Sequence, residues 1–396
     1  LRKAANEHGL GVVPFGGGRD VQVGYAPRRY DIALSMHRLP ASVDVHAADM
    51  SVRVSASTTL EQLQRALEPH GQWVPLLLPA PAQTTVGGML ASGYSGPLRL
   101  GYRGLRDLVL GIKVATAEGS LVHTGGTIVK DVAGYDLAKL YLGSRGSLGV
   151  ILEAILRTYP LPEHSSTLVA AFPEETQAQR AFERLMTAGL PISMLDLCDP
   201  DVLEAMPAVP AVSNAWALIA GAEGAEVVAD WIARRAREMC VDVGAATVAR
   251  LVAPLSNQIR MLAVQATEHA GALLSARLSL PAAVTFTAIA TGRALAANAG
   301  MTAHALAHAG NGIVHLHLLP RETPPPDDSL LDLCQRLNQQ AAHLEGSILW
   351  QHVPERLKPR LDLWAPLGKD FALMRRLKQR LDPRAVMSPG RFIGRL

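Results

Sequence analysis

The chain has 396 residues, of which 48% are hydrophobic and 18% charged, and its formal net charge is +3. A chain of this length is too long for a single hydrophobic core, and it suits two domains with a tail packed back on the first domain. The weak net charge and the lack of Lys/Arg blocks argue against a nucleic-acid partner. No apolar run approaches the roughly 18 residues that a bilayer requires, so we expect no membrane span.

The three cysteines, Cys198, Cys240 and Cys334, are too far apart to form a CxxC pair. An iron–sulfur cluster or a thiolate zinc site is therefore not expected, and scattered cysteines suit a reducing compartment. The chain opens at Leu1 without a methionine and shows no signal-peptide pattern, so a missing N-terminal stretch stays open. We expect a cytoplasmic protein whose redox chemistry, if it has any, uses an organic cofactor.

The first 160 residues alternate short predicted strands with helices. Helices are predicted where apolar residues recur three or four positions apart, and strands where apolar and polar residues alternate. The predicted helices are residues 1–10, 59–70 and 136–142, and the predicted strands after the first glycine group are 31–34, 51–56, 73–78, 109–116, 121–124 and 150–158.

The first glycine group, Gly16 to Gly18, follows a short strand and precedes Arg19 and Asp20. Position 21 is Val, so this is not the GxGxxG of a Rossmann fold. Glycine removes the side chain that would collide with a ligand, and successive N–H groups in such turns hold anions. A plain glycine turn is the alternative.

The chain is organised around the stretch from Pro79 to Gly111. It combines Thr85 to Gly88, the small-residue run Ala91 to Gly93, and a glycine group that closes on Arg106-Asp107. A pyrophosphate-bearing cofactor fits such turns, whereas a buried hairpin with tight turns is the other interpretation.

A third glycine-rich stretch, Gly125 to Pro162, has glycines at 143, 146 and 149. Pro160 and Pro162 end its last strand, so we expect a domain boundary there. Beyond it, strands and helices interleave, which predicts an α+β domain. The predicted strands are 168–172, 191–197, 215–220, 284–290 and 313–319, and the predicted helices are 174–188, 226–239, 291–299, 329–345 and one from 371 to 382.

Five segments together resemble the FAD-linked oxidases with a vanillyl-alcohol-oxidase-type (PCMH-type) FAD-binding domain. These are PFGGGRD, TTVGGMLASGYSGPLRLGYRGLRD, VAGYDLAKL, GSRGSLGVILE and LDPRAVMSPGRF. The likeness covers residues 1–160 well and 340–396 moderately. Within the family, the chain is most similar to the FAD-binding subunits of bacterial glycolate oxidases (glycolate dehydrogenases).

The resemblance implies an α+β fold in three parts. A two-subdomain FAD-binding domain would span 1–160, an α+β cap domain with an antiparallel sheet 163–330, and a C-terminal segment packing back on the FAD domain 331–396. Some members attach FAD through a histidine where this chain has Arg19-Asp20, so non-covalent FAD is implied. The implied FAD-binding residues are Gly16, Gly17, Gly18, Arg19, Asp20, Thr85, Val86, Gly87, Gly88, Ala91, Ser92, Gly93, Gly96, Val132, Gly134, Tyr135, Asp136, Gly149, Val150 and Ile151.

Four of the 13 histidines lie close together, at 304, 308, 315 and 317. His304 and His308, four residues apart, would share a helix face, and His315 and His317 would project from one side of a strand. Grouped imidazoles bind divalent metals or act as bases. A relic cluster of satisfied or surface histidines is the alternative.

The segment HAGNGIVHLHL is similar to the HxGDGNxH signature of D-2-hydroxyacid dehydrogenases with this fold. There, two histidines and a later glutamate hold a divalent metal. His308 and His315 match, but Asn311 replaces the aspartate, and Gln351-His352 stands where a Glu-His pair belongs. Hard divalent cations prefer anionic ligands, so a metal at His308 and His315 is doubtful.

A flavoenzyme that oxidises a 2-hydroxyacid needs a base for the hydroxyl proton and a cation for the carboxylate. His315 and His352 are the candidate bases, because histidine titrates near neutral pH. Arg277 is the candidate carboxylate clamp, with an ordinary surface arginine as the alternative.

The resemblance implies a subunit of a complex that oxidises glycolate, or a related 2-hydroxyacid such as D-lactate, to the 2-oxoacid. Electrons would pass to a second FAD-linked oxidase subunit and an iron–sulfur subunit, and these partners would decide any contact with the inner membrane face. A stand-alone D-2-hydroxyacid dehydrogenase and an accessory FAD subunit without catalysis of its own are the alternatives.

Overall fold

The computed structural model describes residues 2–125, 136–204, 214–268 and 271–396. Within these ranges the strands form a five-stranded sheet in the first part of the chain, a nine-stranded sheet in the second, and two separate strand pairs. No helix in the described ranges has the length and apolar character needed to span a membrane.

The first sheet is antiparallel, and its strands follow the order β3-β4-β8-β6-β7. Of the other strands in this part, β1 and β2 pair in parallel, whereas β5 and β9 pair antiparallel. In chain order the strands are β1 (Val12–Phe15), β2 (Ile32–Ser35), β3 (Val43–His46), β4 (Ser51–Ser55), β5 (Gln72–Trp73), β6 (Val109–Thr116), β7 (Leu121–Gly125), β8 (Gly149–Arg157) and β9 (Tyr159–Pro160).

Six helices lie in the described residues of this part of the chain. They are α1 (Arg2–His8), α2 (Leu60–Leu67), α3 (Val86–Ser92), α4 (Arg99–Tyr102), α5 (Leu105–Leu108) and α6 (Ala138–Tyr141). Helix α2 begins with a capping box, in which Thr59 and Gln62 satisfy each other's backbone N–H groups. Its residues Leu60, Leu63 and Leu67 recur on one face and are buried in the sheet's core.

The second sheet is antiparallel throughout and has the order β13-β10-β12-β11-β15-β16-β14-β17-β18. An antiparallel sheet was predicted for the cap domain, and the strands of residues 163–330 in this sheet match that prediction. In chain order its strands are β10 (His164–Phe172), β11 (Met194–Cys198), β12 (Trp216–Gly224), β13 (Thr247–Val252), β14 (Leu274–Ser279), β15 (Met301–His308), β16 (Ile313–Pro320), β17 (Ser347–His352) and β18 (Trp364–Ala365).

The remaining helices are α7 (Glu175–Thr187), α8 (Pro200–Glu204), α9 (Glu226–Asp242), α10 (Leu255–Gln265), α11 (Thr285–Asn298), α12 (Asp327–His343) and α13 (Phe371–Leu381). Short 3-10 helices lie at Ala47–Asp49, Glu68–His70, Ala282–Val284, Ala309–Asn311, Lys358–Arg360 and Ile393–Arg395. One face of the large sheet packs against α7, α9, α11 and α12. The other face meets the first part of the chain, where Leu98 packs beside Ile219 and Leu306.

A buried polar cluster joins the two parts. The Tyr102 hydroxyl in α4 donates a 2.6 Å hydrogen bond to Glu223 in β12, and Glu223 is also ion-paired with Arg260 in α10. Arg260 donates to the Thr167 hydroxyl at 2.9 Å. Burial first, and the Glu223 carboxylate second, raise the pKa of Tyr102, so its hydroxyl stays a donor.

Three predictions of local structure were wrong. The predicted strand 284–290 is the first half of α11, because its buried residues Phe286, Ile289 and Gly292 follow helical spacing. His304 and His308 lie on strand β15 and not on a helix. The predicted strand 73–78 shortens to Gln72–Trp73, since Pro75 cannot donate a ladder hydrogen bond.

The C-terminal tail returns to the first part of the chain. Met387 bridges to Val12 of β1, and the buried Lys378 of α13 donates to the carbonyls of Ser147 and Met387 and to the Asp382 carboxylate. Residues 347–365 still complete the large sheet through β17 and β18. The division at residues 160 and 330 stays a prediction.

We expect Lys378→Ala to lower the free energy of unfolding by about 3 kcal/mol, because the buried Asp382 loses its cation. Urea unfolding followed by circular dichroism measures the change. Arg375→Ala, at an exposed position of the same helix, is the matched control. A loss no larger than that of the control would show that the tail is not held by this ion pair.

Candidate functional site

A cavity of ≈ 630 Å³ lies between the first part of the chain and the large sheet. The glycine-rich loops form one side of its wall, and strands β14, β16 and β17 contribute to the other. Thirteen of the predicted FAD-binding residues lie on this wall: Gly16, Gly17, Gly18, Arg19, Asp20, Thr85, Gly87, Gly88, Ala91, Ser92, Gly149, Val150 and Ile151.

Four described residues of that prediction lie off the wall. Val86 is fully buried in the core under the first sheet. Gly93 and Gly96 allow close chain packing, since an added Cβ would lie 3.0 Å from the Gly143 Cα and 2.7 Å from the Leu77 oxygen, respectively. Asp136 is paired with Lys139 at 2.9 Å. Three more, Val132, Gly134 and Tyr135, lie outside the described residues.

Two loops meet so closely that only glycine fits between them. A Cβ on Gly16 would lie 2.1 Å from the Thr85 Oγ1, and one on Gly17 would lie 1.8 Å from the Gln83 oxygen. Thr85 caps α3 by accepting a hydrogen bond from the Gly88 N–H at 3.2 Å. Side-chain-free backbone therefore faces the cavity from two places, an arrangement that suits a diphosphate.

Charged side chains border the same loops. Arg19 is ion-paired with Glu268 and donates to Gln83 at 3.3 Å, whereas Arg145 is paired with Asp20 at 3.5 Å. Arg145 has a left-handed backbone, with φ 51°, which non-glycine residues seldom adopt. Burial lowers the pKa of Arg145 to about 10, and the Asp20 carboxylate opposes this effect.

The large sheet contributes four polar side chains to the wall: Ser275, Arg277, His315 and Gln351. Arg277 on β14 lies directly opposite His315 on β16. Between β14 and β17 the pairing steps from Ser275–His352 to Ala276–Trp350, which leaves Gln351 as an extra residue. Such a bulge reorients a side chain, and it allows Gln351 to face the cavity.

His315 is buried, and neither of its ring nitrogens makes a well-formed hydrogen bond among the described residues. The Gln351 amide approaches the ring without the geometry of a full hydrogen bond. Burial, followed by the charges of His308, His317 and Arg277, holds the pKa of His315 well below 6.5. The ring is therefore neutral at physiological pH and has a lone pair available.

Arg277 is the cation nearest to this histidine in the strand pairing. Its Nε atom is buried without a hydrogen-bond partner in the described structure. Burial lowers the pKa of Arg277, and the Asp20 carboxylate works in the opposite direction. A half-buried guanidinium with a buried, unused donor is suited to a ligand carboxylate.

The other histidines of the predicted cluster are already engaged or lie off the wall. His308 is hydrogen-bonded through Nδ1 to Asp196 at 3.0 Å, and His317 contacts the Ser275 hydroxyl at 3.0 Å and the Ala266 carbonyl at 3.1 Å. His352, the second predicted base, is opposite Ser275 in the sheet but does not line the cavity.

The predicted metal ligands do not form a complete donor set. The His308 and His315 rings lie 5.5 Å apart between centroids, and the nearby third donor is the neutral Gln351 amide. Throughout the described ranges, no group of three His, Cys, Asp or Glu side chains could hold a metal ion. Because hard divalent ions prefer carboxylates, this set of donors does not fit them.

Asn311 explains part of the altered signature. Its amide donates hydrogen bonds to the Gly96 and Pro97 carbonyls at 3.4 and 3.1 Å. A carboxylate at this position would only accept hydrogen bonds, so it would repel these carbonyls. The asparagine therefore joins the β15–β16 turn to the first part of the chain.

Sequence reasoning missed Tyr94, Ser275 and Asp196. The Tyr94 hydroxyl donates to the Leu77 carbonyl at 2.6 Å, and its ring lines the cavity. Ser275 lies two residues before Arg277, and strand alternation would have placed both on one face had β14 been predicted. No local pattern marks Asp196, whose partner His308 is 112 residues away.

Comparison with known protein families agrees with this architecture. Residues 1–125 match the family described as "FAD binding domain", and residues 161–392 match "FAD linked oxidases, C-terminal domain". The chain belongs to the FAD linked oxidases. The predicted family and the FAD cofactor are thereby confirmed.

Curated relatives fall into two groups by coverage. A probable mitochondrial D-lactate dehydrogenase of Danio rerio is 31% identical, but the match covers 52% of this chain and 41% of that protein. The chain thus matches less than half the length of this relative. A D-lactate dehydrogenase of Archaeoglobus fulgidus is 29% identical over 100% of this chain and 89% of its own, and the glycolate oxidase subunit GlcD of Bacillus subtilis is 27% identical over 98% and 85%.

Solved structures share the fold at low identity. A p-cresol methylhydroxylase crystal structure has a TM-score of 0.74 and 16% identity, covering 98% of this chain and 85% of that chain. An alkyldihydroxyacetonephosphate synthase has a TM-score of 0.70 and 18% identity, covering 98% and 73%. The predicted α+β PCMH-type fold is confirmed by these neighbours.

We expect Gly17→Ala to weaken FAD binding at least about tenfold, because the new methyl group would push the first glycine loop away from Gln83. Quenching of FAD fluorescence on titration of the apoprotein measures the affinity. Gly104→Ala is the control, since its added Cβ meets nothing closer than 3.5 Å. Equal FAD affinity in both variants would show that this loop does not hold the cofactor.

The low pKa of His315 should make the free energy of unfolding depend on pH. As pH falls through 6.5, the unfolded chain takes up a proton that folded His315 does not, so the free energy of unfolding falls. We expect His315→Gln to remove up to about 1.4 kcal/mol of this loss between about pH 7.5 and about pH 5.5. Urea unfolding at both pH values measures it, with the exposed His343→Gln as the control. Identical slopes in the wild type and His315→Gln would contradict the assignment.

Proposed function

We propose that this chain is an FAD-dependent oxidoreductase that converts a 2-hydroxyacid to the 2-oxoacid. Glycolate is the first candidate substrate, and D-lactate is the related alternative. The observation that carries the proposal is the pairing of a half-buried arginine, Arg277, with a neutral histidine, His315, directly opposite on one wall of the cavity. A hydroxyacid needs one group of each kind.

Arg277 would bind the substrate carboxylate. Its buried and unused Nε donor favours a charge-assisted, two-point contact with a small anion. Tyr94, whose hydroxyl is occupied by the Leu77 carbonyl, contributes a ring surface to the same cavity. This contact would set the position of the hydroxyl group relative to His315.

His315 would accept the hydroxyl proton. Burial keeps its ring neutral, and its nitrogens have no hydrogen bond to break among the described residues. Bound FAD would accept the two electrons that leave the substrate carbon. His315 is preferred over His352 because His352 is not on the cavity wall.

FAD would be held without a covalent bond. The position beside the glycine turn is taken by Arg19 and Asp20, neither of which is a usual attachment point for a flavin. Gly16 to Gly18 and Thr85 to Gly88 would surround its diphosphate, as argued above from their close approach.

Electrons would leave through partner proteins. The described cysteines are buried and separate, and burial raises the pKa values of Cys198, Cys240 and Cys334, so these thiols do not suit a cluster. GlcD of Bacillus subtilis, which is similar to this chain, is a glycolate oxidase subunit. A second FAD-linked subunit and an iron–sulfur subunit are therefore the proposed partners.

One observation favours a second candidate function. Gln351 provides an amide where the hydroxyacid dehydrogenase signature has a carboxylate, and the donor set does not fit a divalent metal. An accessory FAD subunit whose partner carries the catalytic site would tolerate this change. The two functions differ in whether the isolated chain turns over.

The test is anaerobic mixing of the FAD-loaded chain with glycolate, D-lactate or D-2-hydroxyglutarate in a stopped-flow instrument. Bleaching of the flavin absorbance by one of these acids is the expected result. Bleaching that occurs only when a partner subunit is added would favour the accessory function. No bleaching in either case would contradict the proposal.

We expect Arg277→Met to lower kcat/KM at least about 30-fold, mainly through KM, because a charge-assisted carboxylate contact is worth about 2 kcal/mol. Steady-state assays over a range of hydroxyacid concentrations measure the effect. Arg321→Met, at an exposed position after β16, is the control. An unchanged KM in Arg277→Met would show that Arg277 does not bind the substrate carboxylate.

A further inference from the structure

A fully buried aspartate, Asp196, lies behind the histidines of the cavity. It is on β11 and has no solvent exposure. Its Oδ1 atom contacts the His308 Nδ1 at 3.0 Å, whereas its Oδ2 atom has no hydrogen-bond partner in the described structure. A carboxylate kept in the interior with an unused oxygen is costly, so a use for it is expected.

Asp199, three residues later, shows how a purely structural aspartate is satisfied in this fold. Its two oxygens accept backbone N–H bonds from Val202 at 2.9 Å and Ala305 at 2.6 Å. Both oxygens of Asp199 therefore satisfy backbone N–H groups. Among the described residues, Asp196 accepts no backbone hydrogen bond, and its hydrogen-bond partner is the side chain of His308.

The contact with Asp196 fixes the orientation of His308. An ionised carboxylate only accepts hydrogen bonds, so the proton is on Nδ1 of His308. This leaves the rotation of the His308 ring set by a buried, charge-assisted bond. His308 is 1% exposed, so water cannot replace the contact.

His308 in turn supports His315. The two rings meet edge to face, at 73° and with centroids 5.5 Å apart. Strand pairing explains why these side chains are close together. Leu306 of β15 lies opposite both Cys198 of β11 and His315 of β16. Side chains two residues apart share a face, so Asp196, His308 and His315 form a row across β11, β15 and β16.

His315 has little else to orient it. Its ring nitrogens lack well-formed hydrogen bonds, and the Gln351 amide only approaches them. The row thus begins at a carboxylate in the sealed interior and ends at a ring on the cavity wall.

We propose that Asp196 is a positioning residue, which holds His308 so that His308 holds the His315 ring in the orientation needed to accept the substrate proton. This inference rests on the proposed function of His315. It assigns positioning roles to Asp196 and His308, which would contact neither substrate nor flavin, and it explains why a carboxylate is buried behind the cavity.

The test is a double-mutant cycle of Asp196→Asn and His308→Gln, read by anaerobic flavin reduction. Each single variant should lower the reduction rate at saturating substrate at least about tenfold, with KM changed less than about twofold. The double variant should be no slower than the slower single variant, because both act through one ring. His304→Gln, on the same strand β15, is the matched control.

Several results would overturn the proposal. They are an Asp196→Asn variant that reduces at the wild-type rate, losses that multiply in the double variant, and an Asp196→Asn variant that fails to fold or to retain FAD. Stoichiometric zinc or manganese in the wild type that is lost in Asp196→Asn would also overturn it, since Asp196 would then orient a metal ligand.

Histidine NMR separates this inference from the proposed function. Long-range proton–nitrogen spectra of histidine-labelled protein should show the Nδ1–H form of His308, identified by its absence in His308→Gln. Asp196→Asn should shift the signals of both His308 and His315. A wild type that no hydroxyacid reduces would end the proposed function, while unchanged His315 signals in Asp196→Asn would end this inference alone.

Discussion

The cofactor cavity depends on the close approach of two backbone segments. Gly16 and Gly17 lie against Gln83 and Thr85 at distances that leave no room for a Cβ atom. Any side chain there would separate the first glycine loop from the start of α3 and widen the cavity between these two segments. Tail, loops and large sheet are arranged around this contact, and the buried Lys378 secures the tail beside it.

The large sheet adds chemistry to that cradle through its strand pairing. Arg277, His315 and Asp196 are far apart in the chain, yet pairing of β14, β16, β15 and β11 sets them along one face. The bulge at Gln351 adds an amide to the same wall. Where the hydroxyacid dehydrogenase signature has an aspartate and a later glutamate, this chain has Asn311 and Gln351, and Asn311 joins the large sheet to the first part of the chain. The result is a cavity wall on which an arginine charge and a neutral histidine lie side by side.

Sequence reasoning reached the glycine loops because their signal is local: glycines that cluster before a helix or turn announce a close backbone approach. It also reached His315 through a resemblance to a signature, and Arg277 through the need for a cation that binds a carboxylate. It could not reach Asp196 or Ser275, because their positions depend on pairings between distant strands. Tyr94 lies within the glycine-rich stretch from Pro79 to Gly111, but no pattern marked it there. It assigned residues 284–290 to a strand, in which apolar and polar residues alternate, whereas burial of Phe286 and Ile289 on one face shows a helix. His304 and His308 were predicted to lie on a helix, but they lie on a strand. A spacing of four residues fits one face of a helix and equally one face of a strand.

An experimental structure of the chain with bound FAD tests the central claim most directly. The account predicts the diphosphate within hydrogen-bond distance of backbone N–H groups in Gly16 to Arg19 or Thr85 to Gly88. It also predicts Arg277 and His315 on the same side of the flavin ring, with space for a small acid between them. FAD bound elsewhere, or a ring that separates Arg277 from His315, would contradict it.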